Sequence, residues 1–112
     1  MNYTIKKENN YLVVAVMGDV DMSLTDSLRK DVDQALAEHN VNRLVFDLAE
    51  VDFIDSSGLG VILGRYKRVT AKGGKVYLAG AKPQVKKVLE LSGLPRLMEL
   101  YPSVDLLLDK IG

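Results

Sequence analysis

Three short runs of almost unbroken apolar residues most constrain this chain: Leu12-Val13-Val14-Ala15-Val16-Met17, Leu44-Val45-Phe46 with Leu48, and Val76-Tyr77-Leu78-Ala79. Each is too short for a buried helix. Each is also too continuously apolar for a strand with one face in water, so each reads as a strand inside a sheet. The segments between them change period. Leu24, Leu28, Val32, Ala35 and Leu36 fall at helical spacing, as do Leu59, Ile62, Leu63, Tyr66 and Val69, and then Val85, Val88, Leu89 and Leu91. Strands alternating with helices of this length require crossover connections, and therefore a mainly parallel α/β sheet. Tyr3 to Lys7 alternates like an edge strand and joins Tyr11 to Met17 through Asn9-Asn10, residue types that tolerate the positive φ of a tight hairpin. The expected architecture is a four- to five-stranded sheet opened by one antiparallel hairpin, with about four helices.

The boundaries follow from local chemistry. Gly18-Asp19-Val20-Asp21 ends the second strand, and Ser23-Leu24-Thr25-Asp26 supplies the Ser-x-x-acid start of a capping box. Asn40 stops that helix. Arg43 to Leu48 is a buried strand, followed after Ala49-Glu50 by Val51-Asp52-Phe53-Ile54. Gly73-Gly74 ends the next helix, with Arg65, Lys67, Arg68 and Lys72 near its negative end. Pro83 suits a first helical turn, and Ser92-Gly93 a C-terminal cap. Leu97 to Leu100 forms a short last strand, and Val104 to Ile111 a closing amphipathic helix.

Composition removes several function classes. The 112 residues make one domain, 1–112, on ordinary domain sizes. With no cysteine and one histidine, there is no disulfide framework, no thiolate nucleophile and no usual zinc site. Fifteen basic residues balance fifteen acidic ones, which argues against direct nucleic-acid binding. No apolar stretch approaches a membrane span, and no secretory signal opens the chain, so the expected location is the cytoplasm.

In open α/β sheets, sites form beyond the carboxyl ends of the strands. Two segments converge on that rim: Gly18-Asp19-Val20-Asp21 and Phe53-Ile54-Asp55-Ser56-Ser57-Gly58. The simplest reading makes Ser56 or Ser57 one helix cap and Asp21 another. Gly58, Gly60 and Gly64 weaken it, because interior glycines each cost about 1 kcal/mol against alanine. They serve either tight helix-to-sheet packing or a smooth docking surface. A hydrolase fails on inventory: there is no Gly-x-Ser-x-Gly elbow, and His39 lies late in a charged helix. A phosphate-cradling loop fails for want of its third glycine and its Lys-Ser/Thr ending. A receiver-type aspartyl phosphate site would use Asp19 and Asp21 for Mg²⁺, Asp47 as acceptor and Lys82 as counter-charge. Against it, Asp47 followed by Leu48 reads as strand interior.

The stretch DFIDSSGLGVILGRYKRV (52–69) closely resembles the signature of bacterial anti-sigma factor antagonists, single-domain members of the STAS family. The likeness extends upstream to GDVD (18–21) and downstream to PQVKKVLELSGL (83–94), and is strongest to the sporulation antagonists of the anti-sigma F factor. It implies a STAS fold and a regulator rather than an enzyme, without cofactor or metal. It further implies a monomer whose unphosphorylated form binds an anti-sigma factor that is also a serine kinase, so freeing the sigma factor. That kinase would phosphorylate Ser56 and a metal-dependent serine phosphatase would reverse it, with Asp21, Asp55, Ser57, Gly58 and Gly60 at the partner surface. A phosphoserine adds about −1.5 to −2 charge to a rim already holding Asp19, Asp21 and Asp55. The helix start itself would tolerate that charge through its dipole and free N–H groups. Two other classes remain open: a receiver-like phosphoacceptor, and a STAS scaffold module of a stress-signalling assembly or a transporter.

Overall fold

The computed structural model describes residues 2–111. Its elements are β1 (Tyr3–Glu8), β2 (Tyr11–Val20), α1 (Met22–His39), β3 (Arg43–Ile54), α2 (Ser56–Ala71), β4 (Lys75–Ala79), α3 (Pro83–Ser92), a 3₁₀ turn (Leu94–Arg96), β5 (Leu100–Tyr101) and α4 (Val104–Ile111). The five strands lie in the order β1-β2-β3-β4-β5. β1 is antiparallel to β2, and every other pair is parallel. The expected hairpin turn is present, with Asn9 at φ 53°.

Because successive parallel strands add in one direction, right-handed crossovers must place α1, α2 and α3 on the same face. Leu24, Leu28, Val32 and Leu36 of α1, Val61, Ile62 and Val69 of α2, and Val85 and Leu89 of α3 share one core with Leu12, Val14, Leu44, Phe46 and Leu78. The opposite face has only the eight-residue α4, whose buried Leu107 meets Tyr11, Val45, Tyr77 and Ala79. Val13, Ala15 and Met17 are accordingly half-buried, so the continuous apolar run of β2 overstates how well its second face is covered.

The structure moves several boundaries. β2 does not end at Gly18; it continues to Val20 through irregularities between Ala15 and Met17 and between Gly18 and Asp19, with Gly18 at φ 78°. β3 runs unbroken through Ala49-Glu50, which the sequence presents as a gap because both side chains are exposed. The last strand is Leu100–Tyr101 rather than Leu97 to Leu100, and the preceding 3₁₀ turn takes up Leu94–Arg96. Leu91 lies on the outer face of α3, 81% exposed, and takes no part in the core. Arg65 does not serve the end of α2. It is buried, with its Nε 2.9 Å from Asp33 Oδ1 on α1, while Arg68 lies 3.6 Å from the other Asp33 oxygen. The Arg65–Asp33 pair is close without hydrogen-bond alignment, so it adds a charge attraction to the apolar packing the two helices share.

Candidate functional site

β2 and β3 end side by side, with Val20 paired to Ile54 in the register, and each passes straight into a helix. The Asp55 N–H donates to the Val20 carbonyl at 3.3 Å, tying the two strand ends together. Two helix N-termini therefore stand adjacent on one rim, each opened by Asp-x-Ser: Asp21-Met22-Ser23 for α1 and Asp55-Ser56-Ser57 for α2.

Both aspartates cap their helix and hold the serine two residues on, Asp55 with one donor more. Asp21 caps α1 from an extended backbone, accepting from Ser23 N at 3.0 Å and from Ser23 Oγ at 2.6 Å. Asp55 caps α2, accepting from Ser57 N at 2.9 Å, Ser57 Oγ at 2.5 Å and Gly58 N at 3.1 Å. Asp21 is the cap expected from the sequence, and this geometry corrects the other capping assignments. Neither Ser56 nor Ser57 is a cap, and the Ser23-x-x-Asp26 capping box does not form, because Asp26 turns to Arg29 at 2.7 Å. It also corrects the picture of free N–H groups waiting at α2: the Asp55 carboxylate already occupies those of Ser57 and Gly58. The Ser57 hydroxyl and the Gly58 N–H, in that order, hold the Asp55 carboxyl below the usual carboxylate range.

The consequence for the two serines is unequal. Ser57 is half-buried and its hydroxyl is spent on Asp55. Ser56, the first residue of α2, is exposed and its side chain has no hydrogen-bond partner among the described residues.

The glycines divide in the same way. A Cβ on Gly58 would stand 2.7 Å from Ile54 Cγ1 and 3.0 Å from the Val20 carbonyl oxygen, so Gly58 is buried and meets the rim through its backbone. Gly60 and Gly64 have nothing within 4 Å of that position. They follow Ser56 at four-residue steps, so the three share one open stripe on α2. A shallow depression beside it is lined by Thr25, Arg29, Ser57, Gly60 and Arg65.

Two apolar side chains escaped the sequence reading: Met22 is 78% exposed and Phe53 is 50% exposed, both on this rim. The signal was available. Met22 follows Asp21 as Ser56 follows Asp55, and Phe53 alternates with the buried Ile54. Around them Asp19, Glu50 and Asp52 are exposed, and Lys82 is paired with Asp52 at 2.6 Å.

The receiver-type arrangement does not assemble. Asp47 lies within β3 and accepts from the Ala49 N–H at 3.1 Å, while Lys82 faces Asp52. Among the described residues, no group of acidic or histidine side chains is placed to hold a metal ion.

Comparison with known proteins bears on the family and the fold. The sequence matches the family described as STAS domain over residues 2–107. It is 38% identical over 103 residues to the anti-sigma F factor antagonist of Paenibacillus polymyxa, covering 90% of this chain and 88% of that one. The solved structure of the anti-sigma factor antagonist SpoIIAA in its unphosphorylated form superposes with TM-score 0.86 at 24% identity, covering 97% and 95% of the two chains. That of the Bacillus cell fate determinant SpoIIAA in its phosphorylated form gives 0.79 at 23% identity, covering 98% and 99%. At those identities the two structures establish the fold.

Proposed function

The chain belongs to the STAS domain family of anti-sigma factor antagonists, and on that premise we propose a partner switch controlled by phosphorylation of Ser56. The unphosphorylated rim binds an anti-sigma factor that is itself a serine kinase, and so releases a sigma factor, in a sporulation-type circuit within the cytoplasm. The chain is a monomeric substrate of the kinase and not a catalyst. Ser56 Oγ attacks the γ-phosphorus of ATP, the new Oγ–P bond forms as the bond to the β-γ bridging oxygen breaks, ADP leaves, and the hydroxyl proton passes to the kinase. A metal-dependent serine phosphatase returns the hydroxyl.

The observation that carries this reading is the inequality between adjacent serines: one hydroxyl tied to Asp55, the other exposed and unpartnered. The contact surface comprises Asp21, Asp55, Ser57 and Gly60 around Ser56, with Gly58 underneath and the apolar Met22 and Phe53 alongside. Burying an uncompensated charge in such an interface costs about 3–5 kcal/mol, which is roughly 10²–10³ or more in affinity. That is enough to exchange one partner for another.

The test is intact mass and fragment mapping after incubation with ATP and the anti-sigma F factor of Paenibacillus polymyxa. One added phosphate on Ser56, absent from Ser56→Ala, is expected. Phosphate on Ser57 in Ser56→Ala at the parent's rate would overturn the assignment.

A further inference from the structure

We infer that Asp55 is a specificity-determining residue, which restricts phosphoryl transfer to Ser56 by holding the Ser57 hydroxyl against its own carboxylate. The inference rests on the reading of Ser56 as the modified residue, and it says why only one of two neighbouring serines serves. A serine accepts a phosphoryl group only when its oxygen can approach phosphorus in line and its proton can leave to a base. Ser57 Oγ, 2.5 Å from Asp55 Oδ1, points its proton into the helix start and is half-buried there. Asp55 makes a poor base for it. The same oxygen also accepts the N–H groups of Ser57 and Gly58, and those donors stabilise the ionised carboxylate against taking up a proton.

The neighbouring helix shows that exposure is not the whole of the matter. Ser23 lies on the surface, yet its hydroxyl is bound to Asp21 in the same way at 2.6 Å. Asp-x-Ser thus disables the serine two residues after the aspartate at both helix starts. At α1 the intervening residue is Met22, which has no hydroxyl; at α2 it is Ser56. Among the described residues the rim therefore presents a single usable serine although three serines crowd it.

Parent, Ser56→Ala, Asp55→Ala, Ser56→Ala/Asp55→Ala and Ser56→Ala/Asp55→Asn are incubated with ATP and the Paenibacillus polymyxa anti-sigma F factor, and the phosphosite is mapped by fragmentation. Labelling of Ser57 should rise by about tenfold or more from Ser56→Ala to Ser56→Ala/Asp55→Ala, the worth of one hydrogen bond to a charged acceptor. Asparagine keeps a neutral oxygen acceptor at the cap, so Ser57 labelling in Ser56→Ala/Asp55→Asn should stay well below that in the alanine double variant. Ser23 should remain unlabelled throughout. Two outcomes overturn the inference: a silent Ser56→Ala/Asp55→Ala beside an Asp55→Ala protein labelled on Ser56, and equal labelling of the Ala and Asn double variants. A parent chain that takes no phosphate overturns the underlying reading instead. Because Asp55→Ala removes a cap and could loosen α2, NMR of the parent supplies a second measurement. The Ser57 and Gly58 amide shifts should follow the acid titration of Asp55, and the Ser57 hydroxyl proton should exchange slowly. A freely exchanging hydroxyl contradicts the clamp.

Discussion

Alanine replacing each of the three glycines of α2 separates what the fold needs from what the partner needs. Removing a helix-interior glycine stabilises by about 0.5–1 kcal/mol through reduced chain entropy. At Gly60 and Gly64 nothing opposes the gain, since an added Cβ meets no atom within 4 Å. At Gly58 the methyl would stand 2.7 Å from Ile54 Cγ1, 2.9 Å from Val20 Cγ1 and 3.0 Å from a backbone oxygen. Ile54 could turn its side chain away, but the Val20 carbonyl is held by the Asp55 N–H. Overpacking of this kind costs about 1–3 kcal/mol, so Gly58→Ala should lose up to about 2 kcal/mol net. Thermal melts by circular dichroism should place Gly60→Ala and Gly64→Ala roughly 2–5 °C above the parent, and Gly58→Ala below it. Calorimetry against the anti-sigma factor should then rank the variants differently. Gly60→Ala, one turn from Ser56, should bind about tenfold or more weakly despite its greater stability, because a methyl inserted into a close contact costs on the order of 1–3 kcal/mol. A Gly60→Ala protein that melts higher and binds like the parent would remove the stripe from the interface. A Gly58→Ala protein more stable than the parent would refute the packing argument.

Ser56→Glu should stay folded, melting within about 5 °C of the parent because one exposed residue changes, yet lose measurable partner binding; the same residue at the buried Ile62 should unfold the domain. Asp21→Asn keeps the α1 cap while removing its charge, so calorimetry should show weaker binding at an unchanged melting temperature, whereas Asp109→Asn on α4 should change neither. The Asp55 carboxyl is depressed in the fold below its ordinary 3.8, so its contribution is complete above that value and is lost as pH falls through the lower folded value. Melts taken from about pH 5 down to about pH 2.5 should therefore show a steeper loss for the parent than for Asp55→Asn, and parallel curves would contradict the cap.

The sequence resolves this fold where one physical signal dominates. The apolar runs locate β2, β3 and β4, and Asn9, Asn40, Pro83 and Gly93 mark their turns and caps by backbone preference. It fails where two signals compete. Ser23-x-x-Asp26 and Asp21-x-Ser23 are both plausible caps, and only the strand reaching Val20 decides for the aspartate. Ala49-Glu50 looks like a loop because polarity masks a strand whose pairing continues on β2. Arg65 reads as one of four cations near a helix end, and its burial against Asp33 depends on how α1 and α2 are set by the sheet. The rim shows the same division. Asp21, Asp55 and both serines are legible as a cluster, but which hydroxyl is tied is a matter of 2.5 Å geometry. Met22 and Phe53 are apolar, and only their places beside Asp21 and Ile54 mark them as outward-facing.

The central claim is that a phosphate on Ser56 switches partner binding without altering the fold. Isothermal titration of the anti-sigma factor with the unmodified chain and with the chain phosphorylated on Ser56, each checked by its melting curve, tests this directly. The account predicts tight binding for the first, a loss of roughly 10²-fold or more for the second, and melting temperatures within about 5 °C. Equal affinities, or a phosphorylated chain that has unfolded, would contradict it.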